Sequence, residues 1–207
     1  TLWTLQVGDR TVEDALFSFE EPPPACPDLS GLIGMYWSKM DAVFEEDEEA
    51  FAHARDPDHR IETLRSSRNV RVVSEGQVLA ETNRPVMLLE SNLPPRFYIP
   101  KLDCRLDVLI PSPTVSTCPY KGHATQYWSA GEVADLAWCY PAPFLECASI
   151  ANLIAFFQER VEVYVDGVLM QKAVTPWSRA SQDLWKDRPR GDGTESDDQA
   201  IGSRVIR

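Results

Sequence analysis

The chain is poor in the residues that most site chemistries require. It has three histidines (His53, His59, His123) and five cysteines (Cys26, Cys104, Cys118, Cys139, Cys147) in 207 residues. No two cysteines form a Cys-x-x-Cys pair, so no structural zinc site is expected, and their odd, scattered placement argues against a disulfide framework. Free thiols in a reducing compartment are the expectation, and with them a cytoplasmic location. Basic residues are also scarce. Lys and Arg total 20 against 32 Asp and Glu, a net charge of −12. That balance argues against a nucleic-acid backbone or an anionic membrane as partner. No apolar run is long enough to span a bilayer as a helix, and no glycine-rich loop is built to cradle phosphate.

What is present is a hydrophobic fraction of 43%, enough for a real core, and an internal repeat. Asp14 to Val43 aligns without gaps on Asp135 to Tyr164. Pro22 falls on Pro143, Cys26 on Cys147, Leu32-Ile33 on Leu153-Ile154, and Met35-Tyr36 on Phe156-Phe157. Phe17 and Phe19 stand for Trp138 and Tyr140, and Trp3 for Trp128 across a longer turn. The layout expected is one and a half tandem units. Residues 1–60 are the back half of a first unit, 61–177 a complete second unit, and 178–207 a polar, aperiodic tail, with Ala180 to Trp185 a candidate docking helix.

The local patterns are those of a mainly β protein. Gly8-Asp9, Glu75-Gly76 and Asp166-Gly167 each sit between alternating segments and predict tight hairpins, and Ser129 to Glu132 predicts another. Val86 to Leu89 reads as a buried strand, Phe97 to Pro100 as extended chain, and Arg105 to Ile110 as an alternating strand. Pro22-Pro23-Pro24 and Pro141-Ala142-Pro143 predict non-helical crossings. Asp28 to Ile33 and Ser149 to Ile154 predict short helical turns with Asp28 and Ser149 as N-caps, and Leu102-Asp103-Cys104 a single turn. Residues 53–67 read as a polar linker. The acidic run Glu45 to Glu49 reads as a solvated turn, with a metal site the lesser alternative.

Prolines and aromatics concentrate between Arg84 and Pro143. The strings Arg84-Pro85 to Glu90, Pro94-Pro95-Arg96-Phe97-Tyr98-Ile99-Pro100, Cys118-Pro119-Tyr120-Lys121-Gly122, Tyr127-Trp128 and Ala137-Trp138-Cys139-Tyr140-Pro141, with Val165-Asp166-Gly167, resemble the domain of unknown function 427 family. The resemblance is close over about residues 68–177 and partial over about 1–50. It implies a β-tent-like fold: antiparallel sheets leaning together, with short helices. The family carries a nucleotidyltransferase-like label, but this chain lacks the Gly-Ser and paired Asp residues of such enzymes. Its first copy also lacks the Cys-Pro-Tyr-Lys-Gly segment, which implies a structural role for that copy.

The candidate ligand-binding residues are Arg84, Arg96, Tyr98, Tyr120, Lys121, Trp128, Trp138 and Tyr140. The aromatics offer area and stacking, although a plain core under a twisted sheet uses the same residues. Lys121 on its glycine turn suits an anionic group, or is an exposed turn lysine. Arg84 and Glu90 flank one strand and read either as a buried ion pair or as a bidentate anion grip. Cys118, close to Lys121 and His123, reads as an activated nucleophile or a buried structural thiol. No cofactor and no catalysed reaction is assigned. The partner expected is a small molecule held in an aromatic-lined pocket of the second unit, with a homo-oligomer left open. A structural or protein-interaction module is the alternative. Metal-assisted nucleotidyl transfer is a further alternative on the family label alone, with Glu90, Asp103, Asp107 and Asp135 as the carboxylates to inspect.

Overall fold

A computed structural model describes residues 1–21, 26–175, 177 and 178. The Pro22–Pro24 crossing, the docking helix and all but the first residue of the polar tail lie outside these described residues. The chain is mainly β, made of several antiparallel sheets with helix confined to short 3-10 turns. It divides into two compact units, Thr1–His53 and Ala54–Arg207.

The first unit holds β1 (Leu2–Val7), β2 (Arg10–Phe17) and β3 (Gly34–Met35) in the order β1-β2-β3. β1 and β2 close at Gly8-Asp9, where Val7 faces Arg10. The acidic run is the tip of a second hairpin, β4 (Val43–Glu45) with β5 (Glu48–Ala50). Asp28 caps no helix. Its carboxylate accepts from the Ser30 N–H in an Asx turn.

In the second unit β6 (Ile61–Arg65), β7 (Val70–Ser74), β8 (Gln77–Thr82), β9 (Val86–Glu90) and β10 (Leu93–Pro100) are followed by β11 (Ile110–Ser112), β12 (Ser116–Cys118) and β13 (Gly122–Ala124). The chain continues with β14 (Gln126–Ala130), β15 (Val133–Cys139), β16 (Leu153–Phe156), β17 (Glu162–Val165) and β18 (Val168–Leu169). Seven of these form one sheet, β11-β14-β15-β16-β10-β9-β6, and four a second, β18-β17-β7-β8. The predicted hairpins at Glu75-Gly76, Gly131-Glu132 and Asp166-Gly167 all form. Asp166 and Gly167 both have positive φ (51° and 79°), as a two-residue turn matched to strand twist requires.

Three expectations fail for local reasons. Residues 53–67 are no mere linker, because Ile61–Arg65 is a strand paired to β9. Arg105 to Leu109 is a turn, not a strand. Arg105 folds back to make two bonds to Asp107 (2.8 and 2.6 Å), and the Val108 N–H donates to the Arg105 carbonyl. The second helical stretch lies earlier than read, at Leu145–Ile150, so Ser149 sits inside it and Leu153-Ile154 opens β16. The Ser149 hydroxyl, free of any capping duty, donates to Thr63.

Alternation along the strands sorts the second unit's core into two layers on opposite faces of the seven-stranded sheet. Phe97, Ile99, Ala137, Ile154 and Phe156 face one way and pack with Val70, Val72, Val163 and Val165 of the four-stranded sheet. Val86, Leu88, Tyr98, Trp138 and Ala155 face the other way, beneath Ala124, Cys147 and Ile150.

Several local geometries of the first unit recur in the second at the offset that takes Asp14 to Asp135. Both of these residues have positive φ (51° and 49°), as do Gly31 and Asn152 (77° and 60°). Leu2 faces Phe17 and Trp3 faces Leu16, as Tyr127 faces Trp138 and Trp128 faces Ala137. Phe17 faces Gly34 as Trp138 faces Ala155. The Tyr36 N–H donates to the Ala15 carbonyl and the Phe157 N–H to that of Leu136, both at 3.0 Å. The rings match as well: Phe17 and Tyr36 lie 5.0 Å apart at 47°, Trp138 and Phe157 4.4 Å apart at 46°.

Candidate functional site

The second face of the seven-stranded sheet is where aromatic rings and charges meet. Register places Tyr98, Ala155 and Trp138 side by side on β10, β16 and β15. The small Ala155 lets the two rings meet across it, edge to face with centroids 6.5 Å apart. By the same alternation Arg96, two residues before Tyr98, Tyr140, two after Trp138, and Glu90, two after Leu88 on β9, lie on the same face.

Glu90 ends β9 and is the centre of the polar group. Both of its oxygens accept from the Lys121 ammonium at 2.7 Å, and Oε1 also lies 3.1 Å from His59 Nε2. The Glu90 and Lys121 side chains are only 9% and 10% exposed. Lys121 is delivered by a turn whose N–H reaches back to the Cys118 carbonyl, while its own carbonyl accepts from Phe144 on the proline crossing. Gly122 takes φ 92° there, a region that favours glycine, and its backbone bridges to Pro143. Cys118 lies near enough to act on the ammonium electrostatically. Burial pushes the Lys121 pKa down, but Cys118 and Glu90 outweigh it and hold it above its ordinary value. His59 stacks on Tyr120 with centroids 3.9 Å apart, and the Tyr120 hydroxyl accepts from the Asp56 N–H. Residues 54–60 are thus fastened over Glu90.

A second buried pair stands beside Trp138. Arg96 grips Glu159 with two bonds (3.0 and 2.9 Å) and the Phe156 carbonyl with a third, and its guanidinium lies 5.3 Å from the Trp138 ring centroid. The Thr175 hydroxyl donates to Glu159 at 2.7 Å. Burial pushes the Glu159 carboxyl up, yet Arg96 and Thr175 together hold it below its ordinary value. Burial pushes Tyr98 and Tyr140 far up, so both phenols stay protonated at any physiological pH.

Of the candidates, Tyr98, Trp138 and Tyr140 therefore share one buried cluster, Tyr120 and Lys121 adjoin it around Glu90, and Arg96 braces it from the Trp138 side. Arg84 and Trp128 lie elsewhere. Trp128 follows Tyr127 on β14 and so turns to the opposite face, where Lys101 sits 5.8 Å from its ring. Arg84 is exposed and pairs with Asp103, not Glu90. Six residues of nearly extended chain separate the two positions by roughly 20 Å, which forbids that ion pair. His123 faces Thr117 across the β12–β13 hairpin and reaches its hydroxyl at 3.2 Å, while Gly122 faces Cys118. The four carboxylates suggested for metal binding are dispersed. Glu90 holds Lys121, Asp103 holds Arg84, Asp107 holds Arg105, and Asp135 accepts from Thr114. Among the described residues no three His, Cys, Asp or Glu side chains cluster as a metal site. Residue patterns missed His59, Glu159 and Tyr127. The parity of β14 alone marks Tyr127, not Trp128, as the member of the aromatic face. Its hydroxyl lies 2.6 Å from that of Ser116.

These features define a class: an antiparallel β domain with an aromatic face that buries two ion pairs. The chain belongs to the domain of unknown function (DUF427) family, whose model matches residues 1–46 and 62–167. His59 and its strap fall in the stretch between the matched parts. No curated protein matches the chain. Among the described residues no helix is long and apolar enough to cross a membrane.

Proposed function

We propose that the second unit binds a small, oxygen-bearing molecule at the Glu90–Lys121 end of the aromatic face, beside the Cys118 thiol. One observation carries this reading: a buried ammonium paired with a carboxylate stands near the Cys118 thiol on an aromatic face. Apolar residues of similar volume would serve stability as well as such a pair, which favours a chemical role for it. Lys121 supplies positive charge to a ligand oxygen, or to the sulfur if Cys118 reacts as a thiolate. Tyr98 and Tyr140, kept protonated, are hydrogen-bond donors. His59 and Tyr120 roof the site, and Arg96 and Trp138 form its rear wall. Five free thiols support a reducing, cytoplasmic setting.

The test is a thermal-shift screen of carbonyl and carboxylate compounds, run with mass mapping of thiol alkylation. The expected ligand raises the melting point of the wild type but not of Lys121→Met, and it slows alkylation at Cys118. The reading is abandoned if no compound shifts the wild type and Cys118 alkylates at one rate in wild type, Lys121→Met and Glu90→Gln.

We also infer that the chain comprises one and a half tandem units. The matched registers, positive-φ positions and ring pairs at one constant offset support this.

A further inference from the structure

The strap over Glu90 carries an aromatic ring into the polar centre. Asp56-Pro57-Asp58-His59 is a tight turn with proline in its second place, closed by the His59 N–H on the Asp56 carbonyl at 3.1 Å. The turn presents the imidazole to two groups at once. Its face lies on the Tyr120 phenol, with the ring planes 18° from parallel. Its Nε2 lies against Glu90 Oε1, and since a carboxylate only accepts, that nitrogen is the donor. Glu90, Tyr120 and Lys121 lie within the residues that the family model matches, and the strap does not. The matched part therefore supplies a ring subsite, and the unmatched strap supplies its occupant. The strap joins the sheet at Arg60, which exchanges bonds with Ser91 at 2.9 and 3.0 Å. Before that point Arg55 rests 4.7 Å from the Phe144 ring centroid and 3.9 Å from Glu146.

We propose that His59 is a built-in plug, and that the subsite it fills takes a neutral, planar nitrogen heterocycle whose ring N–H stands beside an oxo group. The proposal rests on the ligand reading of the Glu90–Lys121 centre and names the class of ligand. The ring replaces the imidazole on Tyr120, its N–H donates to Glu90, and its oxygen accepts from the Lys121 ammonium. The ligand is neutral because Glu90 and Lys121 already balance each other, with side chains only 9% and 10% exposed. A second anion there would be buried without a counter-charge. The turn swings out about Arg60 and leaves β6 paired to β9. A seated strap lowers the apparent affinity by the fraction of molecules it closes, so loosening the strap strengthens binding.

The experiment titrates the whole chain by calorimetry with 2-pyridone and with N-methyl-2-pyridone, which keeps the ring and the oxygen but has no N–H. It is repeated on His59→Ala, which removes the plug, and on Arg55→Ala, which loosens the strap and leaves His59 in place. Amide exchange is followed at Asp56, whose N–H the Tyr120 hydroxyl holds. 2-Pyridone is expected to bind both variants about tenfold tighter than the wild type. It should quicken exchange at Asp56 in the wild type, and the N-methyl compound should bind about tenfold more weakly. The proposal is overturned if 2-pyridone fails to bind His59→Ala, if the two compounds bind alike, or if neither variant binds tighter than the wild type. It is equally overturned if bound 2-pyridone leaves Asp56 exchange unchanged. A carboxylate compound that needs Lys121 and protects Cys118 without disturbing Asp56 would leave the Glu90–Lys121 reading standing and remove the plug alone.

Discussion

At the scale of single residues, the buried pair Arg96–Glu159 makes the sharpest energetic statement. Glu159 is fully buried and held by three hydrogen bonds, two from Arg96 and one from Thr175. Removing Arg96 strands a charge, so Arg96→Met is expected to cost about 3–5 kcal/mol at neutral pH. The pH dependence gives the sign. The folded pKa of Glu159 lies below its ordinary 4.5, so its contribution is complete above about that pH and is lost as pH falls through the folded value. Without Arg96, burial favours the protonated acid. The deficit of Arg96→Met against wild type should therefore narrow on acidification, as read by urea midpoints across pH; a deficit that widens refutes the account. The sequence disclosed Arg96 and Trp138 as candidates but not Glu159. A carboxylate sixty-three positions away is recruited only by folding, and no local pattern announces it. Lys121 is legible beside Cys118, whereas its partner Glu90 reads as a mate for Arg84, a pairing that the length of the strand between them forbids.

At the scale of elements, period-two alternation and turn chemistry carried most of the reading. The Gly-Asp, Glu-Gly and Asp-Gly hairpins formed where expected because residues tolerant of positive φ fix those turns locally. The turn at Lys101–Asp103 forms within one residue of its expected place, but the turn read at Ser149 to Ile154 is displaced, because such segments are held by what they pack on. Leu145–Ile150 has no side-chain cap, and its Cys147 and Ile150 are anchored in the core. β3 shows how tight a two-residue strand can be. A Cβ on Gly34 would lie 2.3 Å from the tip of the Phe17 ring. Gly34→Ala should swing that ring off Tyr36 and destabilise the first unit. Amide exchange should quicken at β2 and β3 while β15 and β16 are unaffected, and equal quickening in both units would contradict this.

At the scale of the whole molecule, the hydrophobic core is unevenly shared. Both core clusters consist of second-unit residues, and Ala15 is the one buried apolar side chain found among the described residues of the first. A unit without its own core opens easily. Brief proteolysis should therefore cut within residues 1–53 first and leave a resistant product spanning the second unit. A fragment pattern that starts within β7 to β17 would reverse the assignment. The strap is not legible in the sequence, because residues 54–60 have the composition of a linker. That strap lays the His59 imidazole flat on the Tyr120 phenol. The ring current of the tyrosine shields protons held over its face, so the carbon-bound protons of His59 acquire an upfield signature in a spectrum that only three histidines share. The molecule thus carries its own magnetic reporter of whether the strap is seated on Glu90.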